Sequence, residues 1–238
     1  MIRAILFDMG GTLDGAGVHW LDRFAALYRT AGADLQREQL RSAFDDAERR
    51  AAVDEEIGTA HLEPMLDRHV SWQLAHLETE YGAQLAPFVR QQVVEGFVRA
   101  VRTAAAESVR TLAALADRGM KLGVVSNGCG NVDVLCVDLG YAPYLSAIVD
   151  SRRVGLYKPN PAIFIHAAAK LGVAPGDAMM VGDSLDRDIT PAKTIGMTTA
   201  WIEGDAPRLC PDPSIVDVRL RRLSELTAVI DRAQVCAG

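Results

Sequence analysis

Two carboxylates, a hydroxyl and an ammonium stand at comparable points of this sequence. Asp8 follows the apolar run Ile5-Leu6-Phe7, and Ser126 closes Leu122-Gly123-Val124-Val125. Asp183 lies just past Ala178-Met179-Met180-Val181, and Lys158 sits in the loop Gly155-Leu156-Tyr157-Lys158-Pro159-Asn160-Pro161. Apolar runs of this kind read as strands buried on both faces. Open α/β sheets bind ligands at the carboxyl ends of their strands, so the four groups would gather on one edge. Together they suit a phosphate and a hard cation. For Asp8 taken alone, a catalytic carboxylate and a turn-capping aspartate fit equally well. Gly10 and Gly11 free the backbone to turn tightly there and let a ligand approach it.

The elements that would position these groups alternate from about residue 107 onward. Helices near 107–119, 132–139, 162–171, 185–195 and 224–232 interleave with strands near 122–125, 147–149, 178–181, 198–202 and 215–218. This order predicts an α/β fold with a doubly wound parallel sheet. Residues 18–103 show no strand alternation. Trp20, Phe24, Leu27 and Tyr28 share one helical face, as do Leu66, Val70, Leu74 and Leu77, and Val89, Val93, Phe97 and Val101. The expected organisation is a core of residues 1–14 and 104–238 with an inserted helical cap of residues 15–103.

At 49% hydrophobic residues the chain has the makings of a substantial core. A net charge of -6 and the absence of a Lys/Arg stripe argue against nucleic acid as a partner. Cys129, Cys136, Cys210 and Cys236 form no CxxC and read as free thiols of a reducing compartment. The first residues enter a strand directly, and no apolar run reaches the roughly 18–20 residues of a membrane span. The expectation is a soluble, cytoplasmic protein.

The four landmarks, in this order, resemble the haloacid dehalogenase superfamily of aspartate-nucleophile hydrolases. Asp8-Met9-Gly10-Gly11-Thr12-Leu13 matches the first motif, with one departure. Val124-Val125-Ser126-Asn127-Gly128 matches the second, GLYKPNPAIF over residues 155–164 the third, and Val181-Gly182-Asp183-Ser184-Leu185-Asp186-Arg187-Asp188-Ile189 the fourth. The resemblance implies a Rossmann-like core with a cap after the first motif, and a phosphatase that forms an aspartyl-phosphate on Asp8. It implies Mg²⁺ held by Asp8, Asp183 and the Gly10 carbonyl, with Asp188 of the metal site standing behind these ligands or reaching the ion through water; Asp186 would face elsewhere. Thr12, Ser126, Asn127 and Lys158 would meet the phosphate of a small metabolite.

The departure is Gly10, where most phosphatases of the superfamily carry a second aspartate as general acid and base. Its loss matters, since such help is worth about 10² to 10⁴ in rate. Asp14 and His19 are the nearest titratable replacements, and Trp20 and Arg23 could meet the leaving group. A phosphonate hydrolase needs a cap lysine, and none occurs between Asp14 and Ala105. Dehalogenases share Ser126-Asn127-Gly128 but use no metal, which fits poorly with Asp183 and Asp188. A protein that binds a phosphorylated ligand or a partner without useful turnover is the third reading.

Overall fold

The computed structural model describes residues 2–15, 17–205 and 208–235, so the Cys236 thiol and part of the 15–17 connector lie outside the described residues. Strand β1 (Ala4–Phe7) leads into an irregular coil at Met9–Leu13. Four helices follow: α1 (Trp20–Thr30), α2 (Arg37–Ala51), α3 (Leu62–Tyr81) and α4 (Phe88–Asp117). The alternating part then runs β2 (Lys121–Ser126), α5 (Val132–Asp138), β3 (Ala147–Asp150), α6 (Ser151–Val154), α7 (Ala162–Lys170) and β4 (Ala178–Gly182). It ends with α8 (Thr190–Thr194), β5 (Thr198–Ile202), β6 (Val218–Leu220) and α9 (Leu226–Val235).

The six strands form one parallel sheet in the order β3-β2-β1-β4-β5-β6. This is the doubly wound arrangement expected from the sequence. The chain winds outward from β1 through β2 to β3, then resumes on the other side of β1 with β4. A topological switch point therefore falls between β1 and β4, where such sheets bind ligands. Alternation along β1 feeds two cores. Ile5 and Phe7 pack with the helical layer through Phe24, Leu66, Val93 and Phe97, while Leu6 joins Val125, Phe164 and Met180 on the opposite face.

Two elements depart from the sequence reading. Helix α4 runs unbroken across residues 103 and 104, because Ala104, Ala105, Ala106 and Glu107 are strong helix formers and no Gly or Pro interrupts them. At 30 residues it is about 45 Å long and belongs both to the helical layer and to the sheet's flank. The last strand lies at Val218–Leu220 rather than 215–218, since Pro213 sets a short helical turn over Pro213–Ile215. Among the described residues no helix is long and apolar enough to cross a membrane.

Candidate active site

Asp8 leaves β1 with its backbone N–H on the Val181 carbonyl of β4, 2.9 Å away. Its side chain makes no capping hydrogen bond, so the turn-cap reading fails. Lys158 Nζ donates to Asp8 Oδ1 at 2.5 Å and to Asp188 Oδ1 at 2.7 Å. Asp8, Asp183 and Asp188 are all buried, and each brings a carboxylate oxygen within 4.8 Å of the others. Two of the three carboxylates thus share one ammonium, with Asp183 beside them. Burial raises the Asp8 pKa, and Asp188 adds to the rise against the opposing Lys158. Burial likewise raises Asp183, reinforced by Asp8 and Asp188. Burial pulls the Lys158 ammonium down, yet its two carboxylates outweigh it and leave its pKa above the usual value.

The Asp183 carboxylate receives no hydrogen bond among the described residues, although only 3% of the residue is exposed. The cap of the turn that follows is Ser184, whose hydroxyl accepts from the Arg187 N–H. What holds Asp183 is its backbone carbonyl, which accepts from Trp201 Nε1 at 3.0 Å and Arg208 at 2.9 Å. No motif pointed to either residue. Asp186 is exposed, as expected.

Gly11 explains why the loop is built as it is. Its φ is +90°, and a Cβ there would lie 2.6 Å from Asp183 Oδ2. Gly11→Ala should destabilise the fold by about 1–2 kcal/mol through its backbone alone. It should also push Asp183 out of the cluster, so a calcium or magnesium thermal shift present in the wild type should vanish. An unchanged shift would mean that Asp183 tolerates the methyl group.

Ser126 closes β2 and lines the same cavity as the acidic cluster. Asn127 does something else. Its side-chain amide donates to the Lys158 carbonyl and accepts from the Lys158 N–H, at 3.0 and 2.8 Å. It therefore positions the lysine, a role that its place in the second motif did not reveal. Thr12 is not brought to the cavity wall: it is 1% exposed, and its hydroxyl has no partner among the described residues. Cys129 lines the cavity, but burial pushes its thiol up to about 12, so it stays protonated and unreactive.

The cavity holds about 600 Å³. Opposite the acidic cluster its wall comes from the helices: His19, Trp20, Phe44, Glu48, Met65 and His69. Two residues singled out as substitutes for a missing acid behave otherwise. Asp14 Oδ1 accepts from the Gly11 N–H at 2.7 Å and from Arg23 at 2.6 Å, while Oδ2 accepts from Trp20 Nε1 at 2.7 Å. It is a buried joint between the loop and α1, and it also ties up Arg23, which does not reach the cavity. Asp14→Ala should strand that guanidinium and cost about 3 kcal/mol of stability, read by urea unfolding. If Asp14 were the acid, stability would hold and only turnover of alkyl esters would fall.

His19 does line the cavity, but the Leu21 N–H donates to its Nδ1 at 3.2 Å. That lone pair is therefore used, and the ring proton sits on Nε2. Burial, then the charge of Arg187, pulls its pKa below the usual 6.5. A neutral ring with Nδ1 occupied can donate one hydrogen bond and is neither acid nor base near neutrality.

The family profile of the haloacid dehalogenase-like hydrolases matches residues 2–196. The chain belongs to that family. It is a hydrolase, and the expected resemblance holds over the region that carries the motifs. A phosphoserine phosphatase of Thermus thermophilus is 28% identical over 235 residues, covering 94% of this chain and 92% of that one. A glyceraldehyde 3-phosphate phosphatase of Methanopyrus kandleri is 38% identical over 126 residues, so the match spans 51% of this chain and 54% of that relative. The crystal structure of a dehalogenase superposes with a TM-score of 0.66 at 21% identity, covering 96% of each chain. That likeness shows the fold alone.

Proposed function

We propose that the protein is a Mg²⁺-dependent phosphatase that takes the phosphoryl group of a small phosphorylated metabolite onto Asp8. The observation that carries this reading is the trio of buried carboxylates, Asp8, Asp183 and Asp188, at the strand ends, two of which, Asp8 and Asp188, share the ammonium of Lys158. The relatives named above as phosphatases support it. The donor set suits magnesium: hard carboxylate oxygens, one of them on an Asp183 whose side chain has no hydrogen-bond donor among the described residues. Asp8, Asp183 and the Gly10 carbonyl would hold the ion, with Asp188 beside it, and when bound it would offset the negative charge of phosphate and nucleophile.

The side chains then divide the work. An Asp8 oxygen bonds to phosphorus as the ester P–O bond breaks, and water later attacks phosphorus and frees the carboxylate. Lys158 orients Asp8 and faces the transferring group with fixed positive charge. Ser126 donates to a phosphoryl oxygen. Asn127 acts through Lys158, and Thr12 lies outside the cavity lining. With Gly10 two residues on, no side chain there protonates the leaving oxygen.

The test is release of 4-nitrophenol from its phosphate, with Mg²⁺ and with a chelator, by the wild type and by Asp8→Asn. Metal-dependent release that disappears in Asp8→Asn is the expected result. No Asp8-dependent release would leave a protein that binds phosphorylated ligands without turnover. Fluoride release from a haloacid without metal would instead make it a dehalogenase, which the acidic trio disfavours.

A further inference from the structure

Gly10 is not a glycine because its backbone demands one. Its φ of -75° and ψ of 114° suit any residue. Its neighbour is Trp20: a Cβ on Gly10 would rest in ordinary contact with the ring, 3.4 Å from the indole Nε1 and 3.6 Å from Cδ1. The indole is itself fixed, by its hydrogen bond to Asp14 and by edge contact with Phe97 at 4.9 Å between centroids. A fixed aromatic ring therefore borders the position two residues past Asp8, where the cavity wall is formed.

The residues nearest Gly10 do not restore the acid. Asp14 is consumed in the loop, and His19 is held neutral with Nδ1 occupied. His69 has both nitrogens engaged, Nε2 with Glu48 at 2.9 Å and Nδ1 with Gln73 at 2.7 Å. Only the carboxylates of Asp45 and Glu48 on α2 also line the cavity, the second already bonded to His69. Beside the cations Arg49 and Arg187, the wall carries an apolar patch formed by Trp20, Phe44, Ile57, Met65 and Leu135. A cavity of about 600 Å³ is of the size that holds drug-sized ligands, about 300–1,000 Å³.

We propose that the substrate is an aryl phosphate, the monoester of an acidic and apolar alcohol, whose ring lies against Trp20 and whose oxygen departs without a proton donor. This rests on the phosphatase reading and narrows its leaving group. As the bond from Asp8 to phosphorus forms, the P–O bond to the ring breaks and its electron pair stays on the oxygen. The aryloxide departs and takes its proton from solvent. Water then attacks phosphorus, the Asp8 carboxylate leaves with its electron pair, and the surplus proton passes to solvent. That second step expels a carboxylate, again a stable anion, so both steps tolerate the missing acid.

The test measures kcat/KM, with Mg²⁺, for aryl phosphates of graded phenol acidity and for two alkyl esters, phosphoserine and glyceraldehyde 3-phosphate. Rates should fall steeply as the phenol becomes less acidic, and the alkyl esters should trail the best aryl ester by about 10² to 10⁴. The double variant Gly10→Asp/Trp20→Ala, which opens the space and supplies a carboxylate, should flatten the slope. Alkyl esters within tenfold of the aryl series would overturn the inference. A selective loss of alkyl turnover in Asp45→Asn or Glu48→Gln would overturn it too, by locating an acid in the helical layer. Loss of Asp8-dependent turnover on every ester would instead sink the phosphatase reading itself, and this inference with it.

Discussion

Asp8→Asn is expected to abolish turnover, with a loss of 10⁴-fold or more on the scale of removed nucleophiles, and to make the metal-free protein more stable. The first half follows from the amide, which cannot attack phosphorus. The second follows from the sign of the Asp8 shift. Its folded pKa lies above that of an unfolded aspartate, because burial and Asp188 outweigh Lys158. Ionised Asp8 therefore opposes folding, and stability declines as pH rises from the unfolded value near 3.8 through the raised folded value. An amide keeps an acceptor for Lys158 without the charge. At pH 8 the variant should gain about 1–2 kcal/mol, read as a Tm higher by about 2–4 °C per kcal/mol for a chain of this size. At pH 4 the gain should nearly vanish. Added Mg²⁺ should stabilise the wild type more than the variant, which has lost a ligand charge. A variant no more stable than the wild type at pH 8 would mean that Lys158 fully compensates Asp8 in the folded chain.

The same cluster marks how far the sequence could be read. Apolar runs ending in Asp8, Ser126 and Asp183 are local signals, since a strand buried on both faces needs only its own residues to announce itself. Their convergence follows from parallel topology, which strand and helix alternation predicts. The Gly10 departure was also visible, because it is a property of one position. What lay beyond the sequence depends on residues far apart in it. Trp20 meets Gly10 only because α1 folds back over the loop. The Leu13 carbonyl that ends the loop accepts from Ser108 Oγ and Tyr141 Oη, 2.7 and 2.9 Å away, on elements about a hundred residues distant. Arg208 reaches the Asp183 carbonyl from beyond β5. Asp14 looked like a spare acid because an unpaired carboxylate and a buried joint have the same letter. The unbroken α4 was misjudged for another reason: a change of packing partner at residue 103 alters the hydrophobic pattern without breaking the helix.

Lys158→Met tests whether one ammonium holds this cluster together. Asp8 and Asp188 each bond its Nζ, and the lysine side chain is 2% exposed. Its folded pKa is raised, so its contribution to stability is fully present below the unfolded value near 10.5 and is lost only above it. Across the neutral range the variant therefore forfeits the whole contribution. Removing one member of a buried ion pair leaves the others uncompensated, at about 3–5 kcal/mol. The remaining carboxylates can escape that penalty only by taking up protons. The deficit should therefore be larger at pH 8 than at pH 5.5 in urea unfolding, the reverse of a simple packing defect, which is indifferent to pH. Mg²⁺ should recover part of it by supplying the missing charge. Turnover should still fall about 10²- to 10³-fold with the metal present, the usual effect of deleting one fixed electrostatic partner of the transition state. Equal losses at both pH values would show that methionine fails through shape, and that the three carboxylates do not depend on Lys158.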